Sequence, residues 1–221
     1  MKKRDRMIIE TLEQFRALST HQIAEIFYNY TKNPVTNANF ALKRLRDRGY
    51  IEVNTNMQPY VYFPKPSRIK QDGQKVEHFL KIADFYLQLK RAGGHVKFFH
   101  VEPQYMDGSI RPDACVSWRD KIWFVEIQNS HYTHTVMSEK MKRYQTFYAS
   151  KDWKELPFVK SKFPHVWIVA DHKYKIDVEG FIVSQSKSVD DLIIQLAPSK
   201  PNPVQPKKHI GGNGEIKVRI G

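Results

Sequence analysis

A single cysteine, Cys115, among 221 residues excludes an internal disulfide. It lies in an apolar, strand-like run, where a buried and inert thiol is expected. Cys and His never fall at zinc-binding spacing, which excludes a structural zinc module. No stretch of about 18 apolar residues occurs, so no membrane span is expected. The opening MKKRDRMIIETLEQF turns amphipathic after its charges instead of supplying an apolar signal core, which points to the cytoplasm and to no membrane partner. Glycine is sparse, and its one cluster, Gly211-Gly212-Asn213-Gly214, has no strand before it and no Lys-Ser/Thr after it. A phosphate-cradling loop is thereby excluded.

What the chain does have is positive charge. It carries 36 Lys and Arg against 23 Asp and Glu, a net +13, and asks for a polyanionic partner, nucleic acid first. The first seventy residues hold 13 basic and 6 acidic side chains, net +7, residues 71–196 hold 18 and 16, and the tail 5 and 1. Basicity therefore gathers at the two ends. With 41% hydrophobic and 13% aromatic residues the chain can bury a core, as one medium domain or two small ones.

Residues 5–63 read as a winged helix-turn-helix, and the expected domain is 1–64. Met7, Ile8, Leu12, Phe15 and Leu18 recur at helical spacing. Ser19-Thr20 offers an N-cap to a second helix from His21 to Tyr28. Asn33-Pro34 breaks the chain, and a third helix is expected from Val35 to Arg48, with Phe40, Leu42 and Leu45 inward and Gly49 as its stop. Tyr50–Val53 and Tyr60–Phe63, joined through Asn54-Thr55-Asn56, read as a hairpin wing. The third helix offers Thr36, Asn37, Asn39, Lys43, Arg44 and Arg46, with Arg48 beyond them, to double-stranded DNA. Asn can pair with adenine and Arg with guanine in the major groove, while lysine suits phosphates. Lys2, Lys3, Arg4 and Arg6 are expected to add an arm of phosphate contacts.

Residues 65–74, with Pro64 and Pro66 at their start, read as a linker. A second domain is expected over 75–196 in the order α-β-β-β-α-β: a helix from Val76 to Lys90, strands Val96–Glu102, Ile110–Trp118 and Lys121–Gln128, a helix from Thr135 to Tyr148, and a strand from Val166 to Ala170. Phe181–Val183 and a helix Val189–Leu196 would finish it, and the Pro- and Lys-rich 197–221 reads as a flexible basic tail.

The chemistry is sought in RPDACVSWRDKIWFVEIQ, residues 111–128, two strands joined at Arg119-Asp120. Glu126 stands inside an apolar run. The two-residue pleat puts Glu126 and Gln128 on one face and Ile127 on the other. A carboxylate so placed costs several kcal/mol unless it is paired or holds a cation, and Asp113 on the neighbouring strand supplies a second acid. Asp84, set among Ile82, Ala83 and Phe85, is the candidate third ligand, with Glu77 as the other option. His131 and His134 are weak as metal ligands.

Pro112-Asp113 followed by Glu126-Ile127-Gln128 resembles the PD-(D/E)XK nuclease superfamily, whose core order is the one read above. The resemblance implies an α+β / α/β fold of a winged helix-turn-helix followed by a restriction-endonuclease-like domain. It implies Asp113, Glu126 and Gln128 as catalytic positions and Mg²⁺ held by Asp84, Asp113 and Glu126. Gln128 replaces the lysine usual in that motif, and Lys140 or Lys142 of the later helix are the residues that would stand in for it. That helix, through Lys140, Lys142 and Arg143, would also approach DNA.

His78, Asp84-Phe85-Tyr86, Arg111-Pro112-Asp113, Phe124-Val125-Glu126-Ile127 and the run Lys140–Tyr148 resemble the replication-relaxation family of bacterial plasmids and mobile elements. That resemblance implies a double-stranded DNA-binding accessory role with a degenerate nuclease-like domain, beside a relaxase or replication proteins and with a homodimer in view. A Mg²⁺-dependent endonuclease or nickase is the alternative, and a transcriptional regulator that dimerises through its C-terminal domain is a third.

Overall fold

A computed structural model describes residues 1–128 and 133–197. It is a mixed α+β structure with six α-helices and two sheets among those residues. His131, Asn129-Ser130 and residues 198–221 of the expected tail, with its Gly211–Gly214 cluster, lie outside the described residues.

The chain opens on α1 (Lys3–Phe15), which buries Ile8, Leu12 and Phe15 on one stripe. The expected basic arm is thus the first turn of this helix, and Met7 is exposed. Leu18 does not extend α1. Arg16 turns the chain in a left-handed conformation, and Leu18–Ser19 form a two-residue strand, β1. Next, α2 (Thr20–Tyr28) begins at Ser19, whose hydroxyl accepts from the Gln22 N–H while the Gln22 side chain returns to the Ser19 N–H. This reciprocal cap satisfies two orphan amides of the first turn. Pro34 then opens α3 (Pro34–Asp47), where its missing N–H costs nothing.

In α3 the buried face is Ala38, Ala41, Leu42 and Leu45. Phe40, expected inside, is 68% exposed. Two alanines let the helix lie close against its neighbours, and Phe40 falls on the opposite stripe. Strands β2 (Ile51–Asn54) and β3 (Val61–Pro64) follow, each one residue beyond the expected start, and the antiparallel order is β1-β3-β2.

Residues 65–74 fold back on this sheet: the Asn54 amide donates to the Gln71 carbonyl at 2.8 Å, and Gln71 donates to Glu52 at 2.5 Å. Then comes α4 (Lys75–Arg91), whose Phe79, Ile82, Phe85 and Leu89 are buried. The second sheet is built from β4 (Val96–Val101), β5 (Ala114–Trp118), β6 (Lys121–Ile127), β7 (His165–Val169) and β8 (Val183–Ser186), side by side in that order. Its first three strands are antiparallel, and β6, β7 and β8 run parallel. Between β6 and β7 the chain makes α5 (His134–Ser150), and α6 (Val189–Leu196) ends the described chain.

Both faces of this sheet are covered, which is why its central strands read as unbroken apolar runs. Trp123, Val125, Ile127 and Trp167 pack in a core with α4, and this core continues through Phe15 and Leu12 into α2, α3 and the first sheet. Phe15 meets Tyr86 and Phe99 at ring separations of 5.4 and 5.6 Å. On the other face Cys115, Phe124, Val166 and Ile168 pack with Met137, Met141, Tyr144 and Phe147 of α5. The β5–β6 turn places Arg119 and Asp120 at φ 49° and 58°, as a two-residue hairpin demands. Arg119 stacks its guanidinium 4.6 Å from the Trp118 ring, and Asp120 pairs with Lys97 at 2.7 Å. Gly94 must be glycine: at φ +88° an added Cβ would stand 2.9 Å from Arg119 and 3.2 Å from the Trp118 indole nitrogen.

Candidate functional site

Alternation along β6 turns Ile127 towards α4 and Glu126, like Phe124, towards α5. Glu126 is 1% exposed. Its carboxylate accepts from Lys140 Nζ on one oxygen and from the Tyr144 hydroxyl, at 2.7 Å, on the other. Lys140 and Tyr144 are four apart on α5 and so share one helix face. Burial pushes the Glu126 pKa up to about 7, against the Lys140 charge, with Asp113 pushing it further upward. Burial, and then Glu126, also drive the Tyr144 phenol well upward. Hence Tyr144 remains a donor, and Glu126 is a carboxyl balanced between its two protonation states near neutrality.

Asp113 stands immediately before β5. The last pair of the ladder is Ala114 with Val125, so Asp113 is at the register position opposite Glu126. Its Oδ2 accepts from the Ile127 N–H at 2.6 Å, and its Oδ1 lies 3.3 Å from His78 Nε2 of α4. Burial opposes charge on His78, but Asp113 and Glu102 outweigh it and raise the His78 pKa. Glu102 in turn is held by Arg16 at 2.8 Å and Arg111 at 2.6 Å. An unbroken chain of polar contacts thus leads from the end of α1 through Glu102, His78 and Asp113 to the start of Ile127.

Other expected site residues fall elsewhere. Asp84 accepts from the Gln22 amide at 2.6 Å, joining α4 to α2, and does not join Asp113 and Glu126. Glu77 makes an exposed pair with Lys81 at 3.3 Å. Among the described residues no three His, Cys, Asp or Glu side chains gather into a group that could hold a metal ion. Of the expected Mg²⁺ set, Asp84 turns from α4 towards α2, while Asp113 and Glu126 stand opposite each other and Glu126 is engaged by an ammonium and a phenol. Gln128 accepts from the Tyr174 hydroxyl at 2.5 Å, and its Nε2 is buried without a partner among the described residues. His134 is satisfied by the Lys175 carbonyl and Ser138.

On α5, Lys140 turns to Glu126, whereas Lys142 and Arg143 face solvent. On α3, Thr36, Asn39, Lys43 and Arg46 are exposed and Asn37 half-buried. Arg44, expected at DNA, is held in two hydrogen bonds by Asp5, which is 2% exposed. Arg46 pairs with its neighbour Asp47 at 2.9 Å.

Glu102 escaped a reading by motif, and His78 entered only through the family resemblance, with no role assigned to it. The signal present was Glu102 closing an apolar strand just before Pro103. A charged residue at a strand end is usually solvated, and only the fold brings Arg16 and Arg111 to it.

A mixed α+β protein with a buried carboxylate, lysine and tyrosine at the centre of its second sheet is the class these observations define. Residues 64–158 match the family model described as Replication-relaxation, and over that stretch the chain is similar to the replication-relaxation family. The matched stretch contains α4, β4–β6 and α5, and with them every partner of Glu126 and Asp113 named above. Searches of the curated proteins and of the solved structures returned no match. Among the described residues no helix is long and apolar enough to cross a membrane.

Proposed function

We propose that the chain binds double-stranded DNA in the replication or relaxation of a plasmid or other mobile element. In this reading α1–α3 with β1–β3 form a winged helix-turn-helix head, and the five-stranded sheet with α4 and α5 is a PD-(D/E)XK-like body. One observation carries it: the exposed side of α3 presents Thr36, Asn39 and Lys43 along an open cleft beside Gln58, Pro59 and Tyr60 of the hairpin. That juxtaposition suits a helix in the major groove with a wing on the backbone. A net +7 on the first seventy residues supplies the attraction to phosphate. A relaxase or a replication protein, and a second copy of the chain, are the protein partners such a role calls for.

The test is binding to duplex DNA across a salt series. Asn39→Ala with Lys43→Ala should weaken binding, and the Lys43 change should flatten the salt slope by about one. Unchanged affinity and slope in the double variant would remove the groove assignment.

A second reading, a Mg²⁺-dependent endonuclease or nickase, is favoured by Lys140. It supplies beside Glu126 the positive charge that Gln128 lacks, from four residues before Tyr144 on α5. Cleavage of supercoiled DNA with Mg²⁺ or Mn²⁺, lost in both Asp113→Ala and Glu126→Ala, would establish it. Intact DNA under those conditions leaves the body as a binding or assembly surface.

A further inference from the structure

The exposed Phe40 separates two open clefts on the head. One runs between α3 and the hairpin and is lined by Thr36, Asn39, Lys43 and Tyr60; the other, towards the start of α1, is lined by Lys2, Arg4, Tyr30 and Asn37. An aromatic ring 68% exposed on a helix forgoes burial that would stabilise the fold. Here it is flanked on both sides by amides and cations. That pattern suits a ridge entering a groove between two phosphate backbones, with cationic clefts for the backbones.

What the ridge can recognise follows from which side chains are free. The guanine reader in the middle of α3 would be Arg44, but Asp5 occupies it through both Nε and Nη2, at 3.2 and 2.6 Å. Asp5 is buried and Arg44 lines one cleft with Asp5 and Tyr28, so this guanidinium is a structural element of the α1–α3 contact. Arg46 lies nearer the helix end, its guanidinium turned to Asp47, where backbone contacts are the rule. The side chains of Thr36, Asn37 and Asn39 make no hydrogen bond among the described residues. They lie in the first two turns of α3 together with Phe40, the part of a recognition helix that meets base edges. Asn pairs with adenine N6 and N7, while Phe and the Thr methyl group pack on the 5-methyl of thymine. All four favour A·T pairs.

We infer that the head selects A·T-rich duplex through the major groove, Phe40 against thymine methyl groups and Asn37 and Asn39 towards adenine. This rests on the DNA-binding reading above and adds the class of sequence bound. The experiment uses the full chain and four duplexes of equal length: A·T-rich, the same with every thymine replaced by uracil, G·C-rich, and G·C-rich with 5-methylcytosine.

The A·T-rich duplex should bind tightest. The uracil duplex should lose about fourfold for each methyl contacted, the factor equivalent to about 0.8 kcal/mol per buried methylene-sized group. Methylated cytosine should recover part of the loss in the G·C-rich duplex. Phe40→Ala should bind the thymine and uracil duplexes equally, while circular dichroism shows the fold retained. Salt-dependent binding of all four duplexes with equal affinity would overturn the inference and leave the DNA-binding reading standing. A preference for A·T undiminished in the uracil duplex, in Phe40→Ala and in Asn37→Ala with Asn39→Ala would place recognition in the minor groove and also overturn it. Absence of binding to any duplex would remove both.

Discussion

Replacing Glu126 by glutamine tests the buried centre directly. Its carboxyl is 1% exposed, and its pKa stands at about 7 against an ordinary 4.5. Because the folded-state value lies above the unfolded one, the native state holds more protons than the unfolded state between these two values. Stability contributed by this group is therefore full below about pH 4.5 and falls as pH rises to about 7, then stays level. At roughly 1.4 kcal/mol for each unit, the loss across the window is about 3 kcal/mol.

Glu126→Gln has no such proton to lose. It keeps an oxygen for Lys140 or Tyr144, and whatever constant cost the amide carries, the difference in unfolding free energy, variant minus parent, should rise by about 3 kcal/mol from pH 4.5 to pH 7.5. Urea unfolding of both proteins at half-unit pH steps measures it, and taking the difference removes the titration of all other groups. Asp113→Asn should narrow the window, since the Asp113 charge adds to the upward shift. A difference that stays level or falls with pH would refute the account of Glu126 as a carboxyl kept near neutrality by burial.

Asp5→Ala should cost about 2 kcal/mol in urea unfolding, below the cost of breaking a fully buried pair because Arg44 is 31% exposed. Gly180→Ala should lower the melting temperature by several degrees, roughly 1–3 kcal/mol: Gly180 has φ +84°, and its added Cβ would stand 2.2 Å from the Tyr148 ring. Cys115, whose thiol burial pushes up to about 12, should be unreactive to a disulfide reagent in the native protein and react fully once urea unfolds it. Fast native labelling at neutral pH would contradict its place beneath α5.

Much of the fold was legible because its signals are local. The stripe Ile8, Leu12, Phe15, the cap at Ser19 and the break at Asn33-Pro34 each involve neighbours a few residues apart. The strand β1 was not legible, since two residues carry no periodicity and only β3 makes Leu18 a strand. Phe40 misled for a related reason: the apolar stripe of α3 is completed by alanines, which signal burial weakly. At the site, Glu126 declared itself as an acid inside an apolar run, and Lys140 was one of two lysines that could meet it. The choice of Lys140 over Lys142 came from the phase of α5, fixed by burial of Met137, Met141 and Tyr144.

By itself the sequence determined the alternation of helices and strands, the concentration of positive charge at both ends, and the need of Glu126 for a partner. These follow from 3.6- and two-residue periods and from the cost of an isolated buried carboxylate. Tertiary structure decided which charge meets which. Asp84 answers to Gln22, 62 residues away, and Arg44 to Asp5, 39 residues away. Such pairings depend on how helices pack across a shared core, and no local spacing encodes them.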